Sequence, residues 1–383
     1  MIDIKEKAAC SGCGACSAVC PEGCIEMKKD DEGFLYPYAD KNKCIHCSLC
    51  DKICPIKNQE AKKVEKVTCY AAYNKNDEER KNSSSGGIFV ALAKKVISNG
   101  GVVFGAAFDG ELHLRHISAK SLADLKALMG SKYLQSRTVE SYIEVKDCLE
   151  QNKEVLFSGT PCQISGLKGF LGKEYEKLIL VDIVCHGVPS PNFFSAYKSF
   201  LEKKYKSKVI SVDFRNKKYG WKRYSVRVLF ENGKEICENF IDNMYMKAFL
   251  KNVCLRTSCY DCAFKSIPKC SDLTIGDFWG CDHVLKEKND DKGISLILVN
   301  SQRGYDFLNE IGNDIVCTSI DSNEALKFNP TAFRSVAFTP KRTKFFQMLG
   351  QKKMNFIIKS LCDDSFFCKL KAKLKYELQK FRE

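Results

Sequence analysis

The sequence predicts two domains of different architecture: a small α+β unit, then a larger α/β unit with a mixed sheet, closed by a helical tail. Three observations carry this prediction. Two near-copies of one cysteine run, Cys10 to Cys20 and Cys44 to Cys54, flank a short hairpin, GFLYPYAD, within the first 57 residues. The stretch NQEAKKVEK that follows is polar and has no apolar period, as expected of a linker. Beyond it short apolar runs alternate with helical patterns, which argues for layered α/β structure. A chain of 383 residues suits two or three domains at about 150 residues each. The expected divisions are 1–57, a linker over 58–66, a main domain over 67–335 and a basic tail over 336–383.

Both cysteine runs read C-x2-C-x2-C-x3-C-P, as CSGCGACSAVCP and CIHCSLCDKICP. At this bacterial ferredoxin spacing, three thiolates of a run hold one [4Fe–4S] cluster and the fourth crosses to the other. Cys10, Cys13, Cys16 and Cys54 are thus assigned to one cluster, and Cys44, Cys47, Cys50 and Cys20 to a second. Zinc knuckles or a disulfide framework fit less well, because neither calls for two runs of four cysteines each closed by proline. Cys24 falls just outside the pattern and reads as a packed thiol. The 22 cysteines, in a large chain whose opening MIDIKEKAAC lacks a secretory pattern, point to metal ligation in a reducing, cytoplasmic compartment. Apolar and charged fractions of 44% and 28% are ordinary, and runs such as Ile294 to Val299 are too short to span a bilayer.

The main domain opens with a strand from Thr68 to Tyr73 and a charged loop ending in Ser83-Ser84-Ser85-Gly86-Gly87. A helix is predicted to begin at these serines, running through IFVALAKKVI to the stop at Asn99-Gly100-Gly101. A buried strand from Val102 to Phe108, an alternating strand from Glu111 to Ala119, and helices over Ser121 to Met129 and Thr138 to Gln151 follow, around the loop GSKYLQSR. A second strand–turn–helix unit is sharper: Glu154 to Phe157, the turn SGTPCQ, and a helix through Leu171 with Pro161 suited to its first turn. The run Leu178 to Val184 then leads into Cys185-His186-Gly187 and another helix. After Val209 the pattern turns to strands, with an Asn232-Gly233 hairpin. A helix from Asp242 to Asn252 precedes Cys259 and Cys262 in CYDC, and the strands DLTIGDFWG and GISLILVN complete the sheet.

A lone C-x2-C needs two more ligands. Cys162 and Cys185 each end a buried strand, and the carboxyl ends of parallel strands open on one side of a sheet. Cys270 and Cys281 are rivals by proximity in sequence, and a structural zinc site of Cys259, Cys262, Cys270 and Cys281 stays open on spacing alone. Likewise SSSGG reads first as a capped helix start, with phosphate binding as the alternative, since no G-x-G-x-x-G is present.

The elements SSSGGIFVALAKKVI, GSKYLQS, LFSGTPCQISGL, DIVCHGVPSP, GW, LRTSCYDCAF and SDLTIGDFWG, in this order behind a two-cluster ferredoxin, resemble the coenzyme F420 hydrogenase/dehydrogenase beta-subunit family. The resemblance runs from about Cys10 to beyond Trp279 and leaves out the basic tail. It implies a flavin-binding α/β domain holding FAD beside a third [4Fe–4S] cluster, whose cysteines correspond to Cys162, Cys185, Cys259 and Cys262. It also sets the flavin against Ser85, Gly86 and Gly87, where helix N–H groups and a close backbone would receive phosphate. Lys132 and Tyr133 are candidates for the pyrophosphate and ring contacts, and Thr160 for the flavin edge. His186 is a candidate catalytic proton donor, with a bond to a cluster sulfur or backbone as the rival role. Asp272 and Asp277 are candidates for organising the cluster loop, with capping and turn roles as rivals. Cys69, Cys148, Cys237, Cys254, Cys317, Cys362 and Cys368 are expected to be ordinary buried thiols.

The implied activity is an oxidoreductase passing electrons between ferredoxin-type clusters, a third cluster and FAD, coupled to hydride exchange with coenzyme F420 or another small molecule. CHGVPSP resembles the bacterial version of the family, some of it associated with surface-polysaccharide genes, so the hydride partner stays open. The rival function is an electron-relay subunit with no substrate of its own. A third is an iron–sulfur redox sensor, which predicts no bound FAD. The formal charge of +14 does not indicate nucleic acid. Three clusters at about two negative charges each and a flavin dinucleotide would bring it to roughly +6. Much of the excess is also local: residues 341–383 carry 12 Lys/Arg against 4 Asp/Glu. Phe345, Phe346, Leu349, Phe356, Ile357, Phe366, Phe367, Leu370 and Leu374 lie among these lysines, which predicts two amphipathic docking helices. An acidic partner or a membrane surface is the rival reading of the tail. Expected partners are a redox protein or small hydride carrier and, as a further candidate, a second copy of the chain.

Overall fold

The computed structural model describes residues 2–58, 61, 63–285 and 289–363. Thirteen strands form three sheets among these residues: β1 Ile25–Lys29, β2 Leu35–Ala39, β3 Thr68–Asn74, β4 Val102–Phe108, β5 Leu114–Ala119, β6 Val155–Gly159, β7 Leu178–Ile183, β8 Val209–Asn216, β9 Ser225–Phe230, β10 Glu235–Asn239, β11 Leu273–Asp277, β12 Ser295–Val299 and β13 Ile315–Ile320. β1 and β2 are the hairpin between the cysteine runs, paired from Ile25–Ala39 to Lys29–Leu35.

The main sheet has the order β13-β3-β12-β11-β7-β6-β4-β5. Its centre, β4, β6, β7 and β11, is parallel, and antiparallel pairs close both edges. The parallel strands alternate between two buried faces. Val103, Leu156, Ile179 and Val181 pack with the helices Ile88–Ser98 and Gln302–Glu310. Phe104, Phe157, Leu178 and Leu180 pack with Val139–Glu150 and Pro161–Leu171. The carboxyl ends of four parallel strands therefore open at one rim, where ligands of open α/β sheets bind.

A second sheet, β10-β9-β8, turns at Asn232-Gly233 with Gly233 at φ 80°. Helices Pro191–Tyr205, Met244–Leu250, Lys341–Met348 and Met354–Leu361 cover it. The start of the basic tail is thus part of the core: Phe345 and Ile357 are fully buried, whereas Phe356 is exposed. The second predicted tail helix, with Phe366, Phe367, Leu370 and Leu374, lies outside the described residues.

Two expectations change in detail. Within the stretch read as a linker, Lys63 and Glu65 exchange backbone hydrogen bonds with Ile267, a short parallel bridge onto the loop after CYDC. The helix after SSSGG starts at Ile88 rather than at the serines. Gly87 precedes it at φ 85° with no side-chain cap, and the serine hydroxyls are directed elsewhere.

The cysteine-rich module docks on a glycine-bearing face of the helix Pro161–Leu171. A Cβ on Gly166 would stand 2.9 Å from Cys13 Cβ, and one on Gly169 would stand 2.4 Å from the Ile53 carbonyl oxygen. Thr138 Oγ1 donates to the Cys13 carbonyl (2.7 Å), Leu35 N donates to Gln135 Oε1 (3.1 Å), and Glu32 pairs with Arg342.

Candidate redox site

The first cysteine set is gathered in one cavity. Cys10, Cys13, Cys16 and Cys54 line it with Ile2, Ile4, Met27 and Pro37. Burial pushes the Cys13 thiol up to about 11 and raises Cys16 as well, with neighbouring sulfurs acting in the same direction. A thiolate is disfavoured in such a place unless a bound cation neutralises it, which is the condition for iron ligation. Of the second set, Cys20, Cys44 and Cys50 share an apolar cluster and Cys47 is exposed. Cys24 is buried there with its Sγ 3.3 Å from Cys20 Sγ.

Cys162, Cys185, Cys259 and Cys262 come from three segments and line a second cavity of about 180 Å³. Cys162 follows β6 in the first turn of the helix Pro161–Leu171, whose Thr160/Gln163 capping box fixes the turn. Cys185 follows β7, and Cys259 ends the 3-10 turn Thr257–Cys259. Cys162 is raised well above the usual thiol range, by burial first and then by Cys262, Cys185 and Cys13. Cys270 and Cys281 do not line this cavity: Cys270 Sγ lies 3.0 Å from Ser165 Oγ, and Cys281 packs in another core beside Asn289. Cations surround the thiols. Lys265 lines the cavity and its Nζ donates to the Cys185 carbonyl (2.6 Å), while Arg256 is 1% exposed on the same wall. Four half-buried thiols flanked by two buried cations, Lys265 and Arg256, suit an anionic metal–thiolate group.

His186 lines this second cavity and not the larger one. Its Nε2 meets Asn252 Oδ1 at 2.7 Å, its ring stands edge-on to Phe249 at 4.8 Å, and burial lowers its pKa.

The larger cavity, about 260 Å³, lies at the carboxyl rim of the main sheet. Ser85, Gly87, Lys132, Tyr133 and Thr160 line it, and Cys162 stands in its wall. Gly86 does not: its N–H donates to Ser295 Oγ (3.0 Å), and a Cβ there would lie 2.4 Å from the Ala72 carbonyl oxygen. Lys132 Nζ donates to the carbonyls of Ala127 and Met129, and burial brings it down to about 7. Tyr133 stacks on Phe249 and its hydroxyl accepts from Arg215 Nη1 (3.3 Å). Thr160 Oγ1 lies 3.1 Å from Cys162 Sγ.

The lining residue His116 carried no sequence motif, whereas Asp277, also in the wall, belongs to the SDLTIGDFWG element. His116 stacks on Phe157 with ring centroids 5.1 Å apart and bonds to Ser136 Oγ and the Ser158 carbonyl. Burial lowers it to about 4, so it is neutral near pH 7. Asp277 ends β11 and takes both Nη groups of Arg215 (2.7 and 2.9 Å) and Trp221 Nε1 (2.6 Å). Asp272 has a framework role: its carboxylate accepts from Leu180 N and Ser301 Oγ. Among the remaining thiols, Cys69, Cys148, Cys254 and Cys362 are buried, Cys237 is half-buried and Cys317 is exposed. Cys368 lies outside the described residues.

The three cavities adjoin. Ser11 lines all of them, and Cys162 and Val188 stand between the second and the larger one.

Comparison with known proteins finds matches to two regions of the chain. Residues 152–324 match the family described as coenzyme F420 hydrogenase/dehydrogenase, carboxyl terminus of the beta subunit. Residues 9–58 match the 4Fe-4S dicluster domain. No curated protein matches. Among solved structures, a chain of the F420-reducing [NiFe] hydrogenase complex from Methanosarcina barkeri, studied by xenon derivatization, is similar at 16% identity. The match covers 72% of this chain and 91% of that one, with a TM-score of 0.49. No helix among the described residues is long and apolar enough to cross a membrane. Residues 152–324 of the chain thus form a region of the coenzyme F420 hydrogenase/dehydrogenase beta-subunit family, behind a 4Fe-4S dicluster domain at residues 9–58.

Proposed function

We propose that this iron–sulfur protein is a flavin-dependent oxidoreductase that exchanges electrons between its dicluster domain and a hydride carrier, through a third [4Fe–4S] cluster and FAD. The observation that carries the reading is the shared walls: Ser11 borders all three cavities, and Cys162 borders both the second and the larger one. When bound, the clusters supply one-electron transfer and the flavin joins it to two-electron hydride exchange.

The chain's own residues have separable tasks. Cys162, Cys185, Cys259 and Cys262 hold the third cluster, and Lys265 and Arg256 offset its charge. The uncapped N–H groups beginning at Ile88, with Ser85 and Gly87, receive phosphate. Lys132, brought down to about 7 by burial, becomes fully charged once an anion sits at that wall, and Tyr133 presents a ring. Thr160 faces both the cavity and Cys162. The apolar lining from Ile88, Leu128, Val184 and Ile275 excludes water from the reacting face. Held neutral by burial, His116 can accept or donate a hydrogen bond without adding charge.

The hydride carrier is a deazaflavin such as coenzyme F420 or another small molecule, and the working partner is a redox protein. The test uses the anaerobically reconstituted full chain with reduced F420 or a reduced nicotinamide and a low-potential dye. FAD-dependent dye reduction is expected. A chain that loads its clusters and FAD yet reduces no dye with either donor is an electron-relay subunit, and the oxidoreductase reading fails.

A further inference from the structure

Arg256 is the least expected charge in the molecule. It is 1% exposed, and its Nε donates to the Cys10 carbonyl at 2.9 Å, crossing from the main domain to the first cysteine run. The guanidinium lies 4.0 Å over the Tyr36 ring and 5.6 Å from that of Phe34. Nη1 and Nη2 have no hydrogen-bond partner, although both are fully buried. A guanidinium stays charged and carries five N–H donors, so leaving its fork unmatched is costly. The carboxylates nearest Tyr36 are engaged elsewhere, Asp30 by Lys7 and Glu32 by Arg342. Joining the two domains requires only the Nε bond. It gives no reason for two buried, unmatched amino groups.

Their surroundings supply one. A Cβ on Gly12 would stand 2.9 Å from Nη1, and Gly12 lines the cavity of the first cysteine set. Gly12 N itself donates to Cys10 Sγ at 3.4 Å. On its other side Arg256 lines the cavity that holds Cys259.

We propose that Arg256 is a positioning residue for the cluster of the first cysteine run. Its free Nη groups donate to sulfur at the seam between the domains, and its fixed charge raises that cluster's reduction potential. Reduction adds one electron and one negative charge to the cluster. A buried cation stabilises that added charge without any proton moving, and hydrogen bonds to cluster sulfur act in the same direction. The cluster facing the second domain is thereby made a better electron acceptor than it would be in the same apolar cavity without the arginine. That its exchange partner is the third cluster rests on the function proposed above. The effect on its own potential rests only on the dicluster domain.

The test is an EPR-monitored redox titration of the reconstituted full chain, wild type against Arg256→Met and Arg256→Lys. In Arg256→Met, the reduced-to-oxidised ratio of the first-run cluster at fixed potential is expected to fall at least tenfold, a shift of about 59 mV for one electron. The cluster of Cys44, Cys47 and Cys50 is expected to keep its potential, and Arg256→Lys to recover part of the shift. Unchanged potentials in an iron-loaded Arg256→Met chain overturn the proposal. Should the variants fail to load iron, the wild-type chain labelled with [15N]arginine decides. A 15N coupling to the reduced first-run cluster is expected in pulsed EPR, and its absence overturns the proposal. Iron content separates the two readings, because about 8 Fe per wild-type chain ends the third-cluster reading while the first-run potential still judges Arg256.

Discussion

Two side chains at the rim carry opposite lessons about burial. Cys162 sits in the wall between two cavities, with its thiol held protonated by burial unless metal takes the proton's place. Cys162→Ser is expected to lower iron from about 12 to about 8 per chain, with both dicluster signals intact; iron assay and EPR on the same sample read both. His116 is a neutral group inside. Its folded pKa of about 4 lies below the ordinary 6.5, so the unfolded chain takes up a proton first as pH falls. Stability is therefore fully present above pH 6.5 and is lost between 6.5 and 4, by about 3 kcal/mol from this group. Urea unfolding at pH 7 and pH 4.5 is expected to show a smaller pH dependence in His116→Gln than in the wild type. The sequence singled out Cys162 because TPCQ ends a strand. It passed over His116, which lies in an alternating strand with no motif, and whose partners Ser136, Phe157 and Ser158 meet it only through the fold.

The helix Pro161–Leu171 does two jobs, and its sequence announced only one. Pro161 and the Thr160/Gln163 box mark a helix start carrying a cysteine, and were readable as such. Gly166 and Gly169 look like weak points in a helix until Cys13 and Ile53 are seen against them. Gly169→Ala is expected to destabilise the chain by about 1–3 kcal/mol, since the Ile53 backbone cannot yield as a flexible side chain would. Gly110→Ala, with nothing within 4 Å, is the control and is expected to be near neutral; thermal unfolding compares the two. The hydrophobic period placed the strands well because β4, β6 and β7 are buried on both faces. It could not show that residues 63–65 pair with Ile267, a contact some 200 residues away in sequence. Nor could spacing choose between Cys270 or Cys281 and Cys162 or Cys185 as companions of CYDC. That choice depends on which loops the parallel strands bring to one rim, and Cys270 and Cys281 face other surroundings.

At the scale of the whole molecule, function depends on adjacency. The dicluster domain is legible in its cysteine spacing and matches its family over residues 9–58. What the sequence could not convey is that Ser11, between two of those cysteines, reaches the walls of the two cysteine-lined cavities and of the cavity at the sheet's carboxyl rim, so that the small domain forms part of the rim of the large one. The start of the basic tail closes this arrangement from behind, with Arg342 joining Glu32 of the small domain to the Leu255 carbonyl ahead of CYDC. Three clusters and a flavin are proposed above to occupy this contiguous set of cavities. Anaerobic quantitation of iron, acid-labile sulfide, zinc and flavin in the full-length chain tests this occupancy most directly. About 12 Fe and 12 sulfide per chain with one FAD are expected; about 8 Fe with one zinc, or a fully iron-loaded chain that binds no FAD, would overturn the proposed function.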